Sequence, residues 1–212
     1  MPATVKVRGE AAIRAEPDDA LVMITVTALE ATPGAALSDV SERSNALVAM
    51  LDRLGIARAD RSTAGVTVHE EFDYEAGSRR SLGHRAVNQV SVRLTDHEPI
   101  GQLITEATEQ LSVRIDGPRW EIAPSNPVRL QAAREAAADA QRRARAFAQG
   151  VGARLGRPLE LSEDEDHPRP RRMHAVGRAA AADPLPVEPG EHEVVASINV
   201  TFALEFDDPQ PA

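Results

Sequence analysis

The 212-residue sequence predicts an α+β fold in which antiparallel sheet hairpins pack against long amphipathic helices, within a single domain over residues 1–212. Three observations carry this reading. Several segments alternate polar and apolar residues with a period of two, two long segments repeat apolar residues at spacings of three and four, and short turn signals separate successive strand-like runs. A chain of this length buries roughly 70% of the surface its unfolded form exposes, enough for a substantial core.

Residues 5–14 alternate, with Val5, Val7, Gly9, Ala11 and Ile13 on one face of a half-exposed strand. Glu16-Pro17-Asp18-Asp19 reads as a turn, and Ala20, Val22, Ile24, Val26 and Ala28 form the apolar face of a second strand expected to pair with the first as a hairpin. Thr32-Pro33-Gly34 supplies N-cap chemistry for a helix whose stripe is Leu37, Val40, Ser44, Leu47, Leu51 and Leu54, closed by Gly55. Val66, Val68, Phe72 and Tyr74, then Ala86, Val90, Val92 and Leu94, predict a second hairpin. Asp96 is placed to cap a helix carrying Ile100, Leu103, Ile104, Ala107 and Leu111, followed by a strand over Val113–Ile122 broken at Gly117-Pro118.

Ser125-Asn126-Pro127 opens a helix with the stripe Leu130, Ala133, Ala137, Ala140, Ala144, Phe147 and Val151. Its small residues suit close approach to a neighbour, and Asp139 is spaced to pair with Arg143. Leu159 and Leu161 suggest a short strand, and residues 162–190 lose all periodicity and read as a mobile loop. Val194, Ala196, Ile198, Val200, Phe202, Leu204 and Phe206 share one parity, the cleanest strand pattern in the sequence, and the tail beyond Asp207 reads as frayed.

Composition narrows the function classes. Lys and Arg number 24 against 33 Asp and Glu, and this net charge of −9, with only 3% aromatics, argues against a surface that tracks phosphates or stacks bases, so no nucleic-acid partner is expected. The core must be built from Val, Leu, Ile and Ala. Lys6 is the only lysine, a coding bias that marks no arginine as special. Absence of cysteine excludes disulfides, thiolate nucleophiles and Cys-ligated metals. No run approaches the roughly 20 apolar residues of a membrane-spanning helix, and the first residues enter strand alternation without the apolar core of a signal peptide, which predicts a cytoplasmic protein.

Motif search yields no cofactor and no catalytic set. Gly150-Val151-Gly152-Ala153-Arg154-Leu155-Gly156 has a dinucleotide-like look, but it follows a helix rather than a strand and reads as a C-cap and turn. Glu163-Asp164-Glu165-Asp166-His167 gathers carboxylates without the spaced ligands of a calcium loop, so no metal site is assigned. His69, Glu70 and Glu71 fall on a strand where Glu70 faces away from the other two. His84 lies on the apolar parity of its strand and reads first as a half-buried, hydrogen-bonded residue. His69 and His84 are the two weak pocket candidates. Asn199-Val200-Thr201 matches a glycosylation sequon in mid-strand and is discarded.

Several segments, taken in order, resemble the SIMPL-domain family, a bacterial and animal group also known as a domain of unknown function. They are Val7-x-Gly9, Pro17-Asp18-x-Ala20, Leu54-Gly55-Ile56 with Asp60 and Thr63, Gly83-x-x-Ala86-x-Asn88-x-Val90, the Ala133–Ala140 run with Arg134, Ala137 and Asp139, Gly152-x-x-Leu155-Gly156, and Pro186–Gly190. The resemblance implies an α+β fold with antiparallel sheet and long helices. It also implies kinship with envelope-associated immunogenic proteins that form ring or channel-like homo-oligomers, and with a kinase-associated animal adaptor. The sequence departs from that pattern in lacking an export signal, in carrying His84 where Tyr is common, and in carrying Trp120 where Phe is common. No catalytic residues transfer. The expectation is therefore a non-enzymatic assembly or interaction protein acting as a homo-oligomer, with a small-molecule-binding or hydrolytic protein using His84 or His69 in a helix–sheet cleft as the alternative.

Overall fold

The computed structural model describes residues 3–75, 78–163 and 186–206. Over these the chain has the order β1 (Thr4–Ala15), β2 (Asp19–Glu30), α1 (Pro33–Arg53), β3 (Arg61–Glu75), β4 (Ser78–Leu94), α2 (Pro99–Leu111), β5 (Arg114–Glu121), α3 (Pro127–Gly150), β6 (Arg154–Glu163) and β7 (His192–Glu205). It is an α+β protein with two antiparallel sheets and three helices. The chain divides into two compact units, Met1–Pro17 with Ile122–Val176 and Gly190–Ala212, and Asp18–Glu121 with Gly177–Pro189.

The first unit is a three-stranded sheet in the order β1-β7-β6 with α3 against it. β7, the cleanest alternating segment, is the central strand, and its apolar parity meets that of β1 pair by pair: Val5 with Phe202, Val7 with Val200, Gly9 with Ile198, Ile13 with Val194. The buried row of α3 is Val128, Ala132, Ala136, Ala140, Ala144 and Ala148. Every step in it is four residues, and such a row is inclined to the helix axis by about 26°. The predicted stripe averaged threes and fours along the axis, so only Ala140 and Ala144 of it are buried, while Leu130, Phe147 and Val151 lie exposed. Asn126 caps the helix as predicted, its Oδ1 accepting from the Val128 N–H at 2.9 Å.

The alanine row lets α3 approach very closely. A Cβ built on Gly9 would stand 2.1 Å from the Ala136 carbonyl oxygen, 2.5 Å from the Ala140 amide nitrogen and 2.7 Å from the Ala140 Cβ. β1 is an edge strand, and α3 covers part of that edge with side chains. Asp139 Oδ2 accepts from the Glu10 N–H at 3.2 Å, and Arg143 Nη1 donates to the Arg8 carbonyl at 2.8 Å. The predicted Asp139–Arg143 pair closes at 4.0 Å.

The second unit is a four-stranded sheet in the order β3-β4-β2-β5, with α1 against β2 and β4. Its core takes Ala20, Val22, Ile24, Val26 and Ala28 from β2, Ala86, Val90, Val92 and Leu94 from β4, Leu47, Met50 and Leu51 from α1, and Ile100, Leu103 and Ala107 from α2. Thr32 caps α1, accepting from the Ala35 N–H at 3.2 Å. Asp96 bonds one step early, to the Glu98 N–H at 3.0 Å, so Glu98 rather than Asp96 is the cap residue of α2.

The expected hairpin of β1 with β2 does not form, although that of β3 with β4 does. β1 pairs with β7, whereas β2 pairs with β4 and β5, and Pro17-Asp18 is the crossing between the two units. Alternation reports which face of a strand is buried and says nothing of its partner. β6 is also longer than expected, for Ser162 and Glu163 continue it, and Val187 packs against the core of the second unit. The loop reading therefore fails at its two ends. The remainder, residues 164–185, and the tail from Asp207 lie outside the described residues, as does most of the acidic run.

Candidate functional site: the His84 face of the four-stranded sheet

His84 stands on β4 directly opposite Glu30 of β2 and Glu70 of β3. Residues facing one another across strands share a sheet face, so His84, Glu30 and Glu70 lie on one face of the sheet. Ser81 donates its hydroxyl to Glu70 Oε1 at 2.7 Å. The strand backbone just before His84 depends on Gly83, whose φ is +121° and whose absent Cβ would lie 2.5 Å from the Glu30 carbonyl oxygen. Four residues along the same face, Asn88 Nδ2 donates to Ser44 Oγ of α1 at 2.8 Å. His84 Nδ1 and Asn88 Oδ1 are both buried without a hydrogen-bond partner.

His69 is on the other face, since it pairs with Arg85, one step from His84. There Arg85 grips Glu71 with both arms, Nη2 to Oε1 at 2.7 Å and Nε to Oε2. The Arg85 hydrogen bond holds the Glu71 carboxyl below the usual glutamate range, and Glu71 in turn raises the guanidinium. The two histidines thus do not converge on one site. The register bears out the split of His69 and Glu71 from Glu70.

A third imidazole, which the sequence reading did not single out, is His97 ahead of α2. Its ring meets Trp120 of β5 edge to face at 4.7 Å, and its Nε2 is buried without a partner. Nothing in the local sequence joins residues 97 and 120; the contact is tertiary. Among the described residues no group of three or more His, Asp or Glu is arranged to hold a metal ion. In chemical terms the His84 face offers an imidazole, two carboxylates on the same face, a hydroxyl–amide pair and two unpaired polar atoms. Neither the Ser81 nor the Ser44 hydroxyl is hydrogen-bonded to a histidine.

Residues 5–202 match the family model described as SIMPL, a protein of unknown function (DUF541). The chain belongs to the SIMPL family. The match runs through both units. Among its SIMPL relatives, the 26 kDa periplasmic immunogenic protein of Brucella melitensis is 26% identical, over 96% of this chain and 86% of that one. The uncharacterized protein YggE of Escherichia coli is also 26% identical, over 96% and 84%. YggE of Edwardsiella ictaluri is 29% identical over 81% and 74%. A solved amidase of the hydantoinase/carbamoylase family from Burkholderia phymatum is 20% identical over 55% of this chain and 30% of that one, and its TM-score of 0.23 is too low to carry an argument. The expected cytoplasmic location finds no support in the Brucella relatives, which are named periplasmic. No helix among the described residues is long and apolar enough to cross a membrane.

Proposed function

We propose that this SIMPL protein is a non-enzymatic assembly protein that acts as a homo-oligomer, and that it works in the periplasm, as the names of its Brucella relatives suggest. The observation that supports assembly is the outer surface of α3. Because the buried row is alanine, the large apolar side chains of the helix region are left outside: Leu130 is 64% exposed, Phe147 58% and Val151 60%. Phe147 lies in the last turn of α3 and Val151 caps that turn, its N–H donating to the Phe147 carbonyl at 3.3 Å. Apolar groups that neighbour one another on a surface are what subunit contacts bury. Size-exclusion chromatography with light scattering, across a tenfold concentration range at low and high salt, tests the reading. A multiple of the single-chain mass is expected; one monomer mass throughout would overturn it.

A second reading, a small-molecule-binding or hydrolytic protein, draws on the unpaired His84 Nδ1 and Asn88 Oδ1. Heteronuclear NMR of the imidazole and amide side chains against a library of small polar metabolites tests it, with selective shifts at both residues expected if it holds and none if it does not.

A further inference from the structure

Each sheet has two edges, and three of the four are guarded. On β1, Asp139 and Arg143 occupy the Glu10 N–H and the Arg8 carbonyl. β5 contains Pro118 and faces a register shift, and β6 contains Pro158 with a register shift on either side of it. Past the end of β5, the freed side of β2 is also met, for Arg43 Nη2 donates to the Thr27 carbonyl at 2.5 Å. These are the devices by which natural sheets prevent edge-to-edge pairing.

β3 is different. Between its two register shifts runs a regular stretch, Gly65–Glu71, aligned residue by residue with Gln89–Gly83 of β4. No proline interrupts it, and no side chain among the described residues caps its outer backbone groups. Val66 and Val68 lie on the face that carries the core, opposite Asn88 and Ala86, yet they are 58% and 38% exposed. Leu37 and Val48 of α1 are exposed as well. Arg61 Nη1 donates to the Val48 carbonyl at 3.0 Å, so this flank of α1 is the one turned toward β3.

We infer that β3 pairs antiparallel with β3 of a second copy, with Val68 on the two-fold axis, giving one eight-stranded sheet across the dimer. The inference rests on the homo-oligomer reading and names one of its interfaces. The charge pattern of the strand selects a second copy in this orientation. Glu70, Glu71 and Asp73 stand toward the end of β3, whereas Arg61 at its start is already paired with Asp52 and its side chain is only 8% exposed. Antiparallel pairing about Val68 sets Glu71 against Gly65 and Glu70 against Val66, and keeps the acidic ends of the two strands apart. Parallel pairing would set carboxylate against carboxylate, which destabilises a ladder. The self-complementary contact is the isologous kind that closes a dimer.

The chain has no cysteine, so single introduced cysteines report cleanly. Facing residues of an antiparallel pair have Cβ atoms about 4.5–5.5 Å apart, near the span of a disulfide. Val68→Cys under mild oxidation is expected to run mainly as a covalent dimer, and Ala59→Cys, exposed in the turn at Arg58–Asp60, as a monomer. The double variant Val66→Lys with Val68→Lys changes only exposed positions, and it is expected to keep the wild-type far-ultraviolet circular dichroism while its light-scattering mass falls at least twofold. A wild type that assembles, with Val68→Cys cross-linking no more than Ala59→Cys and the lysine variant keeping its mass, would overturn the β3 pairing alone. A wild type that is monomeric at every concentration would overturn both the pairing and the homo-oligomer reading.

Discussion

Replacing Gly9 by alanine adds one methyl group at the closest point between β1 and α3. That methyl would meet the Ala136 carbonyl oxygen at 2.1 Å and the Ala140 amide nitrogen at 2.5 Å. Both atoms belong to the backbone of one helical turn, so no rotamer change relieves the clash. Restoring an ordinary contact of about 3.4 Å requires α3 and β1 to separate locally by about 1.3 Å. Gaps of 0.5–1 Å already forfeit roughly a quarter to a half of each dispersion contact. The alanines at 132, 136, 144 and 148 have no longer side chain with which to refill the space. Overpacking typically costs about 1–3 kcal/mol, and the rigidity of both partners puts Gly9→Ala at the upper end, about 3 kcal/mol. Gly9→Val is expected to prevent stable folding of the first unit. Urea unfolding followed by far-ultraviolet circular dichroism measures the loss, and amide exchange along residues 127–150 locates it. Ala12→Val, on the opposite exposed face of β1, is the control and is expected within about 0.5 kcal/mol of wild type. A Gly9→Ala protein as stable as that control would refute the close-packing account of the alanine row.

Other expectations follow from single contacts. Phe202 is buried on the central strand of its sheet, so Phe202→Asp is expected to cost about 3–5 kcal/mol through lost packing and an unpaired charge; thermal melting checks it, and a shift of a degree or two would contradict it. Asp19 is buried and accepts from Arg93 Nη1 at 2.8 Å. Because the guanidinium is partly exposed, Arg93→Ala is expected to cost about 1–2 kcal/mol rather than the full penalty of a buried pair, read by the same melts. The Glu71 carboxyl is held low by Arg85, and a depressed folded-state value contributes stability at neutral pH that is lost as pH falls through it. Glu71→Gln should therefore flatten the acid limb of the stability curve and leave the limb above neutral pH unchanged.

Much of the fold was legible in the sequence because burial leaves a periodic trace. The β2 pattern matches its buried face, and that of β7 holds at Val194, Val200 and Phe202 but not at Phe206, which is 54% exposed past the strand's end, while Ser197 of the other parity is buried. Thr32, Asn126 and their following prolines mark two helix starts through local hydrogen bonding. Strand partnership was not legible. β1 and β2 are adjacent in sequence and carry equally good alternation, yet the choice of β7 over β2 depends on contacts 177 to 199 residues away along the chain. The facing row of α3 was misread for a related reason: Leu130, Phe147 and Val151 outweigh alanine on any hydrophobicity scale, but Gly9 makes room only for alanine. His69 and His84 were found by residue type, and their separation onto opposite faces follows from strand parity. The unpaired state of His84 Nδ1 and the approach of His97 to Trp120 are tertiary facts with no local signal.

Native mass spectrometry of the protein purified from its own host tests assembly most directly, since it counts chains and would reveal a retained small ligand in the same spectrum. The account predicts a discrete homo-oligomer with an even number of chains and no bound small molecule. A single chain carrying a stoichiometric ligand would contradict it.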